Sequence, residues 1–377
     1  MSRWPGKFVI GLTGNIATGK SVVRKMLEHL GAYGIDADAL AHRAIAKGAP
    51  GYQPVIDIFG KWILDAQGEI DRSKLGRLVF NDPEAMKQLE GIVHPLVEQA
   101  IDLMVRRATQ PVVVIEAIKL LEGKLTSACD SIWVTVAPPE IQQKRLMEKR
   151  SMSAEDAQQR IRAQSPQEQK VAAAHVVIQN SGSFDETWKQ VVAAWKKIAP
   201  MPEATPAVAK PAAADELSVQ RGRPRDSAMI AEFIQRASQG TRTLTAEDIM
   251  AAFGEKAFLL LYLGQRLVGL AGWQVENLVA RTTDIYLDTT VALPQALRAL
   301  VGEVENASRE LQCEVSLVFL PPRLASEEGI WKELGYERRP PRALGVRAWQ
   351  EAALESMPPN TIMLFKQLRQ DRVLRPI

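Results

Sequence analysis

At 377 residues the chain exceeds what one ordinary hydrophobic core holds, so two domains are expected. A formal net charge of +3, spread thinly over both halves, excludes the strong basic field that nucleic-acid binding needs, and no apolar run is long enough to span a bilayer. Two cysteines, Cys129 and Cys313, and four histidines build neither a disulfide scaffold nor a Cys/His metal cluster. With an N-terminus that runs straight into the first motif instead of a cleavable leader, the expectation is a cytoplasmic protein with no membrane partner.

The first element is a strand, KFVIGLTG at 7–14, and it feeds a loop spaced G-x-x-x-x-G-K-[ST]: Gly14, Asn15, Ile16, Ala17, Thr18, Gly19, Lys20, Ser21. Glycines let such a loop wrap tightly and aim backbone N–H groups at phosphate oxygens. Such a loop is expected to bind a nucleotide, with Lys20 reaching its β- and γ-phosphates and the Ser21 hydroxyl holding Mg²⁺. Val22, Val23, Met26, Leu27 and Leu30 then recur at helical spacing, which sets the phosphates at a helix N-terminus.

GAYGIDAD at 31–38 reads as a second short strand, placing Asp36 and Asp38 on one face of an extended chain at the loop mouth. Paired carboxylates there suit Mg²⁺ coordination and general-base chemistry; an Asx turn capping the helix-like ADALAHRAIA explains them equally well. Residues 82–108 form a helical stretch that Pro95, beside His94, should break. Three apolar runs, 111–118, 131–139 and 175–183, read as buried parallel strands, giving a doubly wound α/β sheet with ligands at the strand C-termini. Between the last two, KRLMEKRSMSAEDAQQRIR at 144–162 is either a solvated helix face or a cationic lid over the transferring phosphate.

APMPEATPAVAKPAAADE at 199–216 has almost nothing to bury and reads as a linker between a first domain, 1–198, and a second, 217–377. Downstream come helices at 227–238 and 245–253, a hairpin turning at Gly264-Gln265, and a strand at 281–289. A helix at 294–311, the strand EVSLVFLP, the helix EEGIWKELGY and the strand TIMLFKQL complete an α+β domain.

Over residues 7–198 the sequence resembles the dephospho-coenzyme A kinase family, in IGLTGNIATGKS, IDADALAHRAI, FNDPEAMKQLEGIVHPLV, LLEG, RIRAQ and VVIQNSGS. The resemblance implies a P-loop kinase fold with a lid, and transfer of the γ-phosphate of ATP to the ribose 3′-hydroxyl of dephospho-CoA. It implies Asp38 as acceptor of the hydroxyl proton, Asp36 as a positioning group, and His94 and Glu122 on the substrate. For the lid cation it favours Arg150, with Arg145 and Lys149 as substitutes. The sequence departs from the family in Val22 for a threonine, in Lys149-Arg150-Ser151 for Arg-Asp-Gly, in Glu116 for an aspartate, and in Gln179-Asn180 for Asp-Asn.

The second half resembles the GNAT acyltransferase fold in its order of elements. The glycine pair that lets backbone N–H groups approach an acyl-CoA pyrophosphate is missing before the helix at Pro294, so no ordinary acetyl transfer is expected. A binding or structural role with an unnamed ligand is the expectation, and dispensability for the kinase reaction, since every phosphoryl-transfer group precedes residue 199. The competing whole-chain reading is a nucleotide-sensing regulator whose kinase half is silent and whose C-terminal half binds a partner.

Overall fold

Five short apolar segments pair side by side in the computed structural model, which describes residues 3–150, 152–198, 216–371 and 373–374, and of Arg150 the backbone alone. They are β1 (Phe8–Gly14), β2 (Tyr33–Asp36), β3 (Val112–Glu116), β4 (Ser131–Val136) and β5 (Val176–Gln179), in the order β2-β3-β1-β4-β5 and parallel throughout. β3 and β4 are buried at every residue, as strands covered on both faces must be. The helices are α1 (Lys20–His29), α2 (Ala37–Ala44), α3 (Tyr52–Phe59), α4 (Arg72–Asn81), α5 (Pro83–Arg107), α6 (Pro139–Arg150), α7 (Ala154–Arg162), α8 (Gln167–Ala172) and α9 (Phe184–Ile198). Val23, Met26 and Leu27 of α1 share one core with Val191 and Trp195 of α9, while α2 to α5 contribute to the core on the opposite face.

Pro95 does not break its helix; α5 runs unbroken from Pro83 to Arg107. The carbonyl deprived of its donor belongs to Gly91, and Gly91 and Pro95 are both exposed, so the lost bond lies on the solvent side of the helix. Burial of Val93, Val97, Ala100, Ile101 and Met104 along the other side outweighs the one lost bond.

The second sheet has seven strands: β6 (Leu217–Arg221), β7 (Ala257–Leu263), β8 (Arg266–Glu276), β9 (Val279–Leu287), β10 (Val315–Leu320), β11 (Glu337–Arg338) and β12 (Ile362–Gln367), ordered β11-β12-β10-β9-β8-β7-β6. β9 and β10 pair parallel, and the other neighbours antiparallel. α10 (Ser227–Ala237) and α11 (Ala246–Ala252) follow β6, α12 (Leu293–Glu310) joins the parallel pair, and α13 (Pro322–Ala325), α14 (Glu328–Glu333) and α15 (Arg347–Ser356) complete the unit. The helix pair, the hairpin at Gly264, the central strand and the late helix over 328–333 follow the order of elements read from the sequence; the parallel pairing of β9 with β10, and β6, α13, β11 and α15, are additions to that reading.

Most of the expected linker, 199–215, lies outside the described residues. The two units do not rely on it for contact, contrary to the expectation of separate cores. Leu278, Val373 and Leu374 belong to the core formed around α2 to α5, and Phe184 of α9 packs on the cluster holding Phe253 and Phe258. Arg43 of α2 forms a buried ion pair of 2.5 Å with Glu314.

Candidate active site

The loop after β1 is shaped by contacts that leave no room for side chains. A Cβ on Gly14 would lie 2.4 Å from the Thr135 hydroxyl, and one on Gly19 would lie 1.8 Å from Asn180 Nδ2. Gly19 has φ +90° and Ala17 +57°, so the chain passes twice through left-handed conformations before α1 begins. Thr18 Oγ1 hydrogen-bonds Thr135 Oγ1 at 2.8 Å, and Asn180 Nδ2 donates to the Thr18 carbonyl at 2.9 Å, tying the loop to β4 and β5. From above, Asn15 Nδ2 donates to the Ser165 carbonyl and Ile16 N–H to Gln164 Oε1, so the segment after α7 closes over the loop.

Lys20 Nζ is buried at the loop mouth, within 3.1 Å of the Gly14 carbonyl and 3.2 Å of that of Asn15. Ser21 Oγ donates to Glu116 Oε1 at 2.9 Å, at the C-terminal end of β3, and Glu116 Oε2 accepts from Arg24 Nε at 2.7 Å. Val22 turns its side chain away from the loop, so that a Cβ on Gly254 of the second unit would touch it at 3.4 Å.

The two aspartates do not share an extended face, because β2 ends at Asp36. Asp36 is the N-cap of α2, its Oδ1 accepting the Ala39 N–H at 2.8 Å, and burial together with the neighbouring Glu116 carboxylate pushes its pKa up to about 6. Asp38 sits two residues further on, in the first turn of α2, and accepts the Ile118 N–H at 3.1 Å. Burial raises its pKa, opposed by that hydrogen bond and by the Lys20 charge. Asp36 thus makes the helix cap that the Asx-turn reading expects, while Asp38 stands at the loop mouth with its carboxylate held by Ile118.

Lys170 of α8 went unnoticed in the sequence. It is buried, its Nζ donates to the Ile118 carbonyl at 3.3 Å, and burial and the Lys20 charge lower its pKa. In the sequence it is a single lysine in QSPQEQKVAAA, past the basic run at 144–162, with nothing local to mark it; its burial sets it apart.

Beyond Asp38 opens a cleft of about 630 Å³. His94, Glu122, His42, Arg72 and Phe80 line it, so two of the expected substrate residues face the same space as the expected base. Arg145 reaches the P-loop: its guanidinium donates to the Ala17 carbonyl at 3.2 Å and the Asn180 carbonyl at 2.8 Å. Lys149 does not; exposed, it pairs with Glu255 of the second unit at 3.1 Å. The Arg150 side chain lies outside the described residues.

The arrangement brings the glycine-rich loop, two lysines and the Asp38 carboxylate to one end of a parallel sheet, beside an open cleft. Ser21 Oγ, Glu116 and Asp36 offer oxygen donors, the chemistry that suits Mg²⁺. Among the described residues no helix is long and apolar enough to cross a membrane.

Comparison with known proteins gives a family model, dephospho-CoA kinase, matching residues 8–186. The dephospho-CoA kinase of Carboxydothermus hydrogenoformans is 45% identical over 192 residues, covering 50% of this chain and 93% of that protein. That of Geobacter metallireducens is 43% identical, covering 50% and 96%. For the remaining half, an acetyltransferase of the GNAT family from Streptococcus pneumoniae matches at 13% identity and TM-score 0.31, covering 40% of this chain and 99% of that one.

Proposed function

The chain belongs to the dephospho-CoA kinase family, with ATP as phosphate donor, and from that premise we propose which of its residues carry the transfer. Asp38 takes the proton of the ribose 3′-hydroxyl of dephospho-CoA as that oxygen bonds to the γ-phosphorus and ADP departs. The observation that supports this is its placement: a half-buried carboxylate at the junction of the P-loop and the cleft, oriented by the Ile118 N–H. A pKa raised by burial makes it a better proton acceptor than a solvated aspartate. Lys20 and Lys170 supply positive charge where phosphate charge accumulates, and Arg145 holds the lid against the loop. Asp36 sets the first turn of α2 and thereby the position of Asp38; His94 and Glu122 meet the substrate across the cleft.

Mg²⁺ would be held by Ser21, with Glu116 and Asp36 in support through water, and would neutralise charge on the β- and γ-phosphates. The C-terminal unit takes no part in acyl transfer on this reading. Asp288, paired with Arg266 at 2.9 Å, stands ahead of α12 in a segment without glycine, where a pyrophosphate would need backbone N–H groups.

ADP release from ATP, measured with dephospho-CoA and with nucleosides, shikimate and gluconate as competing acceptors, tests the reaction. Turnover should depend on dephospho-CoA, and Asp38→Asn should lower kcat by about 10²–10⁴-fold with ATP affinity retained. Preserved kcat with weakened substrate binding would make Asp38 a binding residue; no ADP with any acceptor would favour the regulatory reading.

A further inference from the structure

The turn between β8 and β9 is the place where the second unit enters the first. Glu276 pairs with Val279, leaving Asn277 and Leu278 as a two-residue hairpin loop with φ +52° and +61°. Both central residues of such a turn must be left-handed, which suits asparagine and glycine and strains leucine. Leu278 is nevertheless there, 6% exposed, with its side chain in the core beneath α2 and α5. A residue unsuited to the turn itself is explained by what its side chain fills across the junction.

The backbone of the same turn grips both helices that carry the reaction. On one side Lys25 Nζ of α1 donates to the Val275 carbonyl at 2.8 Å. Lys25 also binds Glu28 Oε2 at 2.7 Å, Glu28 Oε1 binds Arg24 Nη1 at 2.6 Å, and Arg24 Nε binds Glu116 Oε2 at 2.7 Å. Glu116 then accepts the Ser21 hydroxyl, so an unbroken series of charged hydrogen bonds links the turn to the P-loop serine. On the other side Arg43, in the last turn of α2, donates to the Asn277 carbonyl at 2.8 Å and pairs with Glu314. Asp36 and Asp38 stand in the cap and first turn of that helix. A cavity of only about 40 Å³ separates the turn from α1 and α2, lined by Arg24, Glu28, Asp36, Arg43, Glu276 and Asn277.

We propose that the β8–β9 turn is a positioning element of the kinase site: by holding Lys25 of α1 and Arg43 of α2 at once, it fixes where Ser21 stands relative to Asp38. Lys25, Arg43 and Leu278 are the positioning residues, none of them touching substrate. The proposal rests on Asp38 and the P-loop acting as described above. A packed interior transmits such a constraint because its helices cannot shift without opening voids. In-line transfer depends on alignment of acceptor oxygen and phosphorus, so misplacement costs rate more than ATP binding.

The test uses the full chain and the variants Lys25→Met, Arg43→Met and Leu278→Gly, the last of which suits the turn backbone and removes only the wedge. Expected is a fall in kcat of about 10–10²-fold per folded molecule, with KM for ATP within about twofold. Amide hydrogen exchange should quicken in α1 and α2, and Arg43→Lys, which retains a donor for Asn277, should recover most of the rate. A folded Lys25→Met/Arg43→Met double variant with wild-type kcat, or unchanged exchange in α1 and α2, overturns the proposal. If the wild-type chain forms no ADP, the reading of Asp38 falls, while exchange in the variants still decides whether the turn holds the two helices.

Discussion

At Asp38, burial and hydrogen bonding pull in opposite directions, and burial wins: the carboxyl titrates above its usual range. A base must be unprotonated to act, so kcat should rise with pH through this raised pKa, with its acid limb above the ordinary aspartate value of about 3.9. Lys170 holds the limb down, because its charge favours the carboxylate. Lys170→Met should therefore do two things that loss of structure alone would not. It should lower kcat by about 10²–10³-fold, the usual cost of removing one charge-stabilising donor from a water-poor site, and move the acid limb to higher pH. Lys170→Arg should restore the limb. A pH–rate profile of the three proteins measures both effects, and an unmoved limb in the methionine variant would confine Lys170 to a structural bond with Ile118.

Among the elements, the P-loop was legible in full because its function is written in local backbone chemistry, glycines at fixed spacing followed by Lys20 and Ser21. What lay hidden was the reason for Gly19 in particular: Asn180, 161 positions further along, occupies the space of its Cβ. Gly19→Ala should push Asn180 off the Thr18 carbonyl and strain φ +90°, costing about 1–3 kcal/mol of stability and weakening ATP binding together. Thermal unfolding with and without ATP would show this as a lower Tm and a smaller ATP-induced rise. The continuous strands and amphipathic helices were legible for the same local reason. The fate of Pro95 was not, since whether a proline ends a helix depends on whether its orphaned carbonyl lies in the interior or at the surface, and here both Gly91 and Pro95 are exposed. Nor were the different settings of Asp36 and Asp38, which turn on β2 ending two residues earlier than the strand read at 31–38. The places of Lys149 and Lys170 were not legible either, because burial is set by tertiary packing: the lysine of the basic run is exposed and paired with Glu255, and the isolated one is buried near Asp38.

For the molecule as a whole, the junction between the units makes stability depend on pH through His29. This histidine closes α1, and its Nε2–H donates to the Phe253 carbonyl of the second unit at 2.7 Å. Its ring packs edge-on against Trp188 of α9 and Phe253. Burial lowers its pKa from the usual 6.5 to about 4, the bond to Phe253 and the charge of Glu28 opposing the shift, and Lys25 and Arg221 adding to it. The neutral ring is thus the folded form, whereas the unfolded chain takes up a proton below about pH 6.5. The sign follows: the contribution of His29 is complete above pH 6.5, declines as pH falls toward 4, and is then exhausted, having cost at most about 3 kcal/mol. Glutamine keeps an N–H donor for Phe253 without a titrating ring, so His29→Gln should flatten this part of the profile. Thermal unfolding from pH 7 down to 4 should show a smaller fall in Tm for the variant than for the parent chain. Parallel curves for the two proteins would mean that the loss belongs to other groups, and that His29 joins the units by packing alone.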